Sequence, residues 1–98
     1  MNKPNEKILN IADKTLKKTV DEYIASMSDE HRMLVVLKSQ LYGGTWEQML
    51  DDLKNRLDGK PYIFKLVNRI QDDIIRIREM QDFERKNNVD LADYIEMP

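Results

Sequence analysis

The sequence predicts an all-α protein, an up-down bundle of four helices in which two long helices, 1 and 4, flank a middle helix broken into 2 and 3. Three observations carry this. Apolar residues recur at three- and four-residue steps over long stretches, the period that gathers them on one face of a helix. Cap residues and glycines interrupt that pattern at Ser28, at Gly43-Gly44 and at Asp58-Gly59. All three connections are very short, which favours antiparallel neighbours.

Helix 1 is expected from about Asn5 to Met27. Pro4 suits a first turn, where its missing N–H costs nothing. Ile8, Leu9, Ala12, Leu16, Val20, Tyr23, Ile24 and Met27 share one side, with Lys7, Lys14, Lys17, Lys18, Asp21 and Glu22 opposite and Ile11 pointing away. Ser28 then caps helix 2, and Asp29 and Glu30 complement the positive end of its dipole. Helix 2 is expected over Asp29 to Tyr42, with Met33, Leu34, Leu37 and Leu41 as its main stripe and Val35, Val36 and Tyr42 projecting elsewhere. A helix apolar on most sides is usually buried on most sides. Gly43-Gly44 ends it, since glycine accepts the left-handed conformation of a C-terminal cap.

Thr45 followed three residues later by Gln48 matches a capping box and opens helix 3. Trp46, Met49, Leu50, Leu53 and Leu57 form its narrow stripe, which stops at Asp58-Gly59. Pro61 opens helix 4, expected to reach about Lys86, with Ile63, Leu66, Val67, Ile70, Ile74 and Ile77 on one face. Arg69–Asp73, Asp72–Arg76, Arg78–Asp82 and Asp82–Lys86 are opposite charges one turn apart, each pair contributing a few tenths of a kcal/mol. Asn87-Asn88 breaks the pattern, and Asp90 is placed to cap a last turn holding Leu91, Tyr94 and Ile95. At 1.5 Å per residue, helices 4 and 1 would be roughly 40 and 34 Å long, and helices 2 and 3 together would match them. An open four-helix layout is the alternative.

A chain of 98 residues makes one domain, here 1–98 with residues 88–98 expected as a loosely attached C-terminal turn. Its 41% hydrophobic content and net charge of −2 set it apart from disordered chains, which are poor in apolar residues and strongly charged. A core this small is often stabilised further by association. The absence of cysteine excludes disulfides, thiolate metal sites, Cys nucleophiles and covalently attached haem. The opening MNKPNEKILNIADKTLKK has no apolar run resembling a signal-peptide core, and no stretch has the length and apolarity of a membrane span. The location expected by default is the cytoplasm.

The residues that carry chemistry are few. A nucleophile needs a base, most often His, within hydrogen-bond reach. The sole histidine, His31, falls in the first turn of helix 2, where exposure is expected. Asp51-Asp52 and Asp72-Asp73 are adjacent pairs, and neighbours on a helix point about 100° apart, so neither converges on one metal. The repeated Glu-x-x-His of helical di-metal bundles is absent. Gly43-Gly44 lacks the preceding strand and following Gly-Lys-Ser/Thr of a phosphate loop. No catalytic, metal or cofactor site is expected, and the chain does not read as an enzyme. The 16 basic and 18 acidic side chains are interspersed, whereas nucleic-acid binders concentrate Lys and Arg. Lys14, Lys17 and Lys18 are flanked by Asp13, Asp21 and Glu22 and read as a solvated helix face.

Two sets of residues stand out as candidate partner contacts. Tyr42, Trp46, Tyr62 and Phe64 gather at helix ends beside the glycine-containing connections. Trp and Tyr are enriched at binding hot spots because they bury a large area and still carry a hydrogen bond; the alternative for Trp46 is to anchor helix 3 in the core. Phe64 and Ile75 lie some 120° off the main stripe of helix 4, on a flank otherwise made of Gln71, Arg78 and Asp82. That flank is either an internal contact or a partner or self-association surface.

The segment WEQMLDDLKNRLDGKPYIFKLVNRIQDDI, Trp46 to Ile74, resembles small helical accessory proteins of planctomycete-type bacteria, a class similar in size to the assembly factor that accompanies the multihaem enzyme hydrazine dehydrogenase. The likeness covers about a third of the chain and transfers no functional residue. It implies a non-catalytic role in assembling a larger enzyme complex, with the haem belonging to the partner. The expected function is therefore protein–protein interaction as an accessory or assembly factor, with homo-oligomerisation open. The alternative is a helical DNA-binding regulator, in which helices 2 and 3 imitate a helix-turn-helix. Helix 3 carries Glu47, Asp51, Asp52 and Asp58 against only Lys54 and Arg56, a balance that would face phosphate unfavourably.

Overall fold

The computed structural model describes the backbone of residues 3–59 and 64–97 and the side chains of residues 14–58 and 65–97. The described residues form four α-helices, α1 (Lys3–Ala25), α2 (Asp29–Leu41), α3 (Trp46–Gly59) and α4 (Phe64–Asn87), and a final 3-10 turn over Leu91–Tyr94. They contain no strand. The predicted Pro61 start of helix 4, and the side chains of Ile8, Leu9, Ile11, Ala12 and Ile63, lie outside the described residues.

Local chemistry marks the end of α1, both ends of α2, the start of α3 and the end of α4. Ser28 Oγ accepts the backbone N–H of His31 at 3.2 Å, the N-cap bond its position predicts. Arg32 donates to the Ile24 carbonyl at 3.4 Å, satisfying one of the oxygens that the end of α1 leaves without an intrahelical partner. At the end of α2, Gly43 and Gly44 have φ of 63° and 79°, and the Lys38 carbonyl accepts from both Tyr42 and Gly44. A β-carbon at either position would strain a left-handed backbone. Thr45 Oγ1 accepts from the backbone N–H of Gln48 at 3.4 Å, the N-cap half of the predicted box. At the end of α4, Asn88 takes φ 53° and the N–H of Val89 returns to the Glu84 carbonyl at 3.0 Å. This is a Schellman closure with Asn in place of Gly. Asp90 then caps the last turn through the N–H of Ala92.

Directions follow from cross-chain contacts. Trp46, at the start of α3, bonds Glu84 near the end of α4, so α3 runs antiparallel to α4. Glu30 and Lys38 of α2 meet Arg69 and Glu84 of α4 respectively, so α2 runs parallel to it. Tyr23 stacks on Phe83 with centroids 3.8 Å apart, and Leu16 lies with Arg85, Asn88 and Tyr94, so α1 is antiparallel to α4. The glycine pair therefore folds the broken middle helix back on itself, and the result is an up-down bundle of four helices. The long axis of the molecule is 62 Å, well beyond the roughly 36 Å of a 24-residue helix. The two long helices are staggered, with the second half of α1 against the second half of α4.

The core is one cluster of Val20, Leu34, Val35, Trp46, Met49, Leu50, Leu53, Ile70, Ile77, Met80 and Leu91. Helix 3 buries the stripe its sequence predicts. Helix 4 buries Ile70, Ile77 and Met80, while Leu66 is exposed. Helix 2 departs from its predicted stripe. Its buried residues are Leu34, Val35, Val36 and Lys38, and Met33 and Leu41 are 53% and 69% exposed. The neighbouring helices cover only part of an all-round apolar helix, and the stripe chosen from spacing was half on the open side. The C-terminal turn is also corrected. It is tied in rather than loosely attached, because Leu91 is fully buried and Asp90 is bonded to Lys38.

Candidate functional site

Among the described residues, no group of three His, Cys, Asp or Glu side chains is arranged to hold a metal ion. Asp52 is occupied: its Oδ2 accepts from the Tyr42 hydroxyl at 2.5 Å and from Arg56 Nε at 3.1 Å. That bond to the carboxylate, then burial, holds Tyr42 above the ordinary tyrosine range. His31 is half-buried. The adjacent acidic pairs diverge, as helix geometry requires.

A buried polar cluster lies where α2, α3, α4 and the C-terminal turn meet. Lys38 is only 2% exposed. Its ammonium reaches Asp90 Oδ1 at 2.7 Å and Glu84 Oε2 at 3.7 Å, and sits 4.7 Å from the centre of the Trp46 ring. Glu84 accepts the indole N–H of Trp46 on Oε1 at 2.6 Å and the backbone N–H of Leu91 on Oε2 at 2.8 Å. A buried charge is tolerated when it is paired and hydrogen-bonded, and this one has two carboxylates and an aromatic face. Burial pushes the Asp90 carboxyl up, but the Lys38 hydrogen bond, the Ala92 N–H and the Lys38 charge outweigh it and hold it below the usual range. No described buried side-chain polar atom lacks a partner. The cluster is closed on itself and acts as a fastener between elements.

The open surface is different in kind. Met33, Leu37 and Leu41 follow one another at four-residue steps on α2 and form a strip along it, in which Met33 and Leu41 are exposed and Leu37 between them is half-buried against the core. Beside it runs a groove of about 340 Å³ lined by Asp29, Glu30, Met33, Leu34, Leu37, Arg69 and Asp73. Exposed Leu66 lies on the same face of α4 as Arg69 and Asp73, by the helical period. Burial, against the pull of Arg69, raises the Asp73 carboxyl above the usual carboxylate range, and Glu30 adds to the rise.

The structure distributes the predicted contact residues unevenly. Trp46 is 5% exposed and spends its N–H on Glu84, so it anchors α3 in the core rather than facing a partner. Tyr42 is half-buried with its hydroxyl on Asp52. Ile75 is 57% exposed, so that flank of α4 is not core; its described neighbours Gln71, Asp72, Arg78 and Glu79 are exposed polar residues, and a single apolar side chain among them is ordinary surface. Tyr62 and the side chain of Phe64 lie outside the described residues. Sequence reading missed Lys38, whose only signal was its place one turn beyond buried Leu34 and Val35. It also assigned Met33 and Leu41 to the core. The excess of apolar directions on α2 was the available signal, since a helix on the rim of a small bundle keeps one side open. The chain matches no family model, no curated protein and no solved structure.

Proposed function

We propose that this protein works by binding another protein through the outer side of α2, as a non-catalytic accessory module. The observation that carries the reading is the strip in which Met33 and Leu41 are exposed on either side of half-buried Leu37, beside a groove whose wall includes Leu34 and Leu37. Large apolar side chains left in water at regular helical spacing are a cost to an isolated domain and an asset to a complex. An assembly role in a larger complex, which the resemblance of residues 46–74 implies, is the same reading with a partner class attached. The DNA-binding alternative gains no support, because the exposed residues of α3 include Glu47, Asp51 and Asp58 beside Lys54 and Arg56.

Affinity capture from the native organism with cross-linking mass spectrometry tests this. The wild-type chain and Ile75→Lys are expected to retain the same partner, with cross-links mapping around α2, and Met33→Asp with Leu41→Lys is expected to lose it. Retention by the double variant would remove the strip from the function.

A further inference from the structure

We propose, building on the interaction reading above, that the groove between α2 and α4 receives a basic amphipathic helix from a partner protein. Its apolar anchors would lie along Met33, Leu37 and Leu41, and its Lys or Arg residues would sit against Asp29, Glu30 and Asp73.

Size points away from a second copy of this chain. Met33 to Leu41 spans eight residues, roughly 12 Å along the helix axis. A strip one side chain wide and that long is a small part of the roughly 800 Å² per partner that a stable dimer buries. It matches what one helix of about three turns presents when it lies in a groove, with anchors at three- and four-residue steps.

Charge selects the kind of helix. The groove lining holds three carboxylates and one guanidinium. The guanidinium of Arg69 already leans toward Glu30 at 3.7 Å, and Asp29 is engaged by Arg32. Asp73 sits half-buried in the wall, where Arg69 and His31 offset part of its charge while Glu30 and Asp72 add to the negative field around it. A carboxylate partly stripped of water beside other carboxylates is stabilised by an incoming cation and destabilised by an incoming anion. An acidic helix would therefore be repelled from the wall its apolar face must approach.

The test uses the full chain and two synthetic peptides of about 15 residues with the same leucine face at three- and four-residue steps, one flanked by lysines and one by glutamates. Amide shifts in the protein report where each binds. The lysine peptide is expected to shift Met33, Leu37, Leu41, Leu66 and Asp73, to bind at least about tenfold more tightly than the glutamate peptide, and to weaken as salt is raised. Glu30→Gln with Asp73→Asn should remove most of that preference without lowering the melting temperature, and Met33→Asp should abolish binding of both peptides. Equal or tighter binding of the glutamate peptide at these residues would overturn the basic occupant while leaving the strip as an interaction site. Shifts mapping elsewhere, no binding of either peptide, or a concentration-dependent dimer that covers Met33 and Leu41 would each overturn the proposal. The capture experiment with Met33→Asp and Leu41→Lys decides the broader reading separately.

Discussion

Lys38 is the residue on which the most elements converge. It leaves α2, lies against the ring of Trp46 from α3, and holds Glu84 of α4 and Asp90 of the C-terminal turn. Removing one partner from such a cluster leaves charge without compensation, a larger loss than the pair is worth against an apolar substitute. Lys38→Met should therefore cost about 2–4 kcal/mol, because Glu84 is nearly buried while Asp90 is half-exposed. Urea melts measure this, and Lys38→Met with Glu84→Gln should recover part of the loss. A cost below about 0.5 kcal/mol, the range of surface changes, would show that the cluster is not a fastener. Acid acts on the same bond. The Asp90 carboxyl is held below its unfolded value, so its contribution is fully present above about pH 4 and is lost as pH falls through the folded value. Asp90→Asn should flatten that part of the acid limb of a stability–pH curve. Asp73 has the opposite sign. Its raised value favours the folded state when protonated and opposes it at neutral pH, so Asp73→Asn is expected to leave stability at pH 7 unchanged or slightly higher.

At the scale of elements, the C-terminal turn and α2 are the two that context decided. The turn itself was legible, because Asp90 is a cap residue placed before an apolar Leu91. Its attachment was not, because attachment depends on a lysine 52 residues away. Leu91→Ala should cost roughly 2–5 kcal/mol, as deletion of a fully buried leucine does, and should lower the melting temperature by about 10 °C or more in a domain of this size. A change of a degree or two would mean that the turn is not part of the core. For α2, the existence, start and stop were all readable from Ser28, Asp29-Glu30 and Gly43-Gly44. Its orientation about its own axis was not. With Met33, Leu34, Val35, Val36, Leu37 and Leu41 distributed around the helix, hydrophobicity alone gives no preferred face, and Lys38 marks the buried side only once its two carboxylates are known to meet it.

At the scale of the whole molecule, one elongated bundle carries a closed polar cluster at one junction and an open apolar strip on one side. The strip is expected to be separable from stability. Met33→Asp with Leu41→Lys replaces side chains that are already mostly in water, so the isolated chain should keep its helicity and melting temperature to within the change of ordinary surface substitutions, about 0.5 kcal/mol, while any association through α2 disappears. Ile75→Lys, on the far side of α4, should change neither. Circular dichroism melts and size-exclusion chromatography on the three proteins check both statements. Unfolding of the α2 variant would return Met33 and Leu41 to the core.

The sequence by itself determined the helices and the ends of α2, the start of α3 and the end of α4, because these depend on interactions within a few residues: the three- and four-residue apolar period, side-chain oxygens capping N–H groups, and glycines or an asparagine accepting left-handed backbone. It also determined the faces of α3 and the middle of α4, where one narrow stripe leaves no choice. Only the tertiary structure decided which side of α2 is buried, that Trp46 is an anchor, and that Lys38, Glu84 and Asp90 form one cluster. Each of these pairs residues far apart in the chain, and a lysine reads as solvent-facing until the fold brings carboxylates and an aromatic ring to its amine.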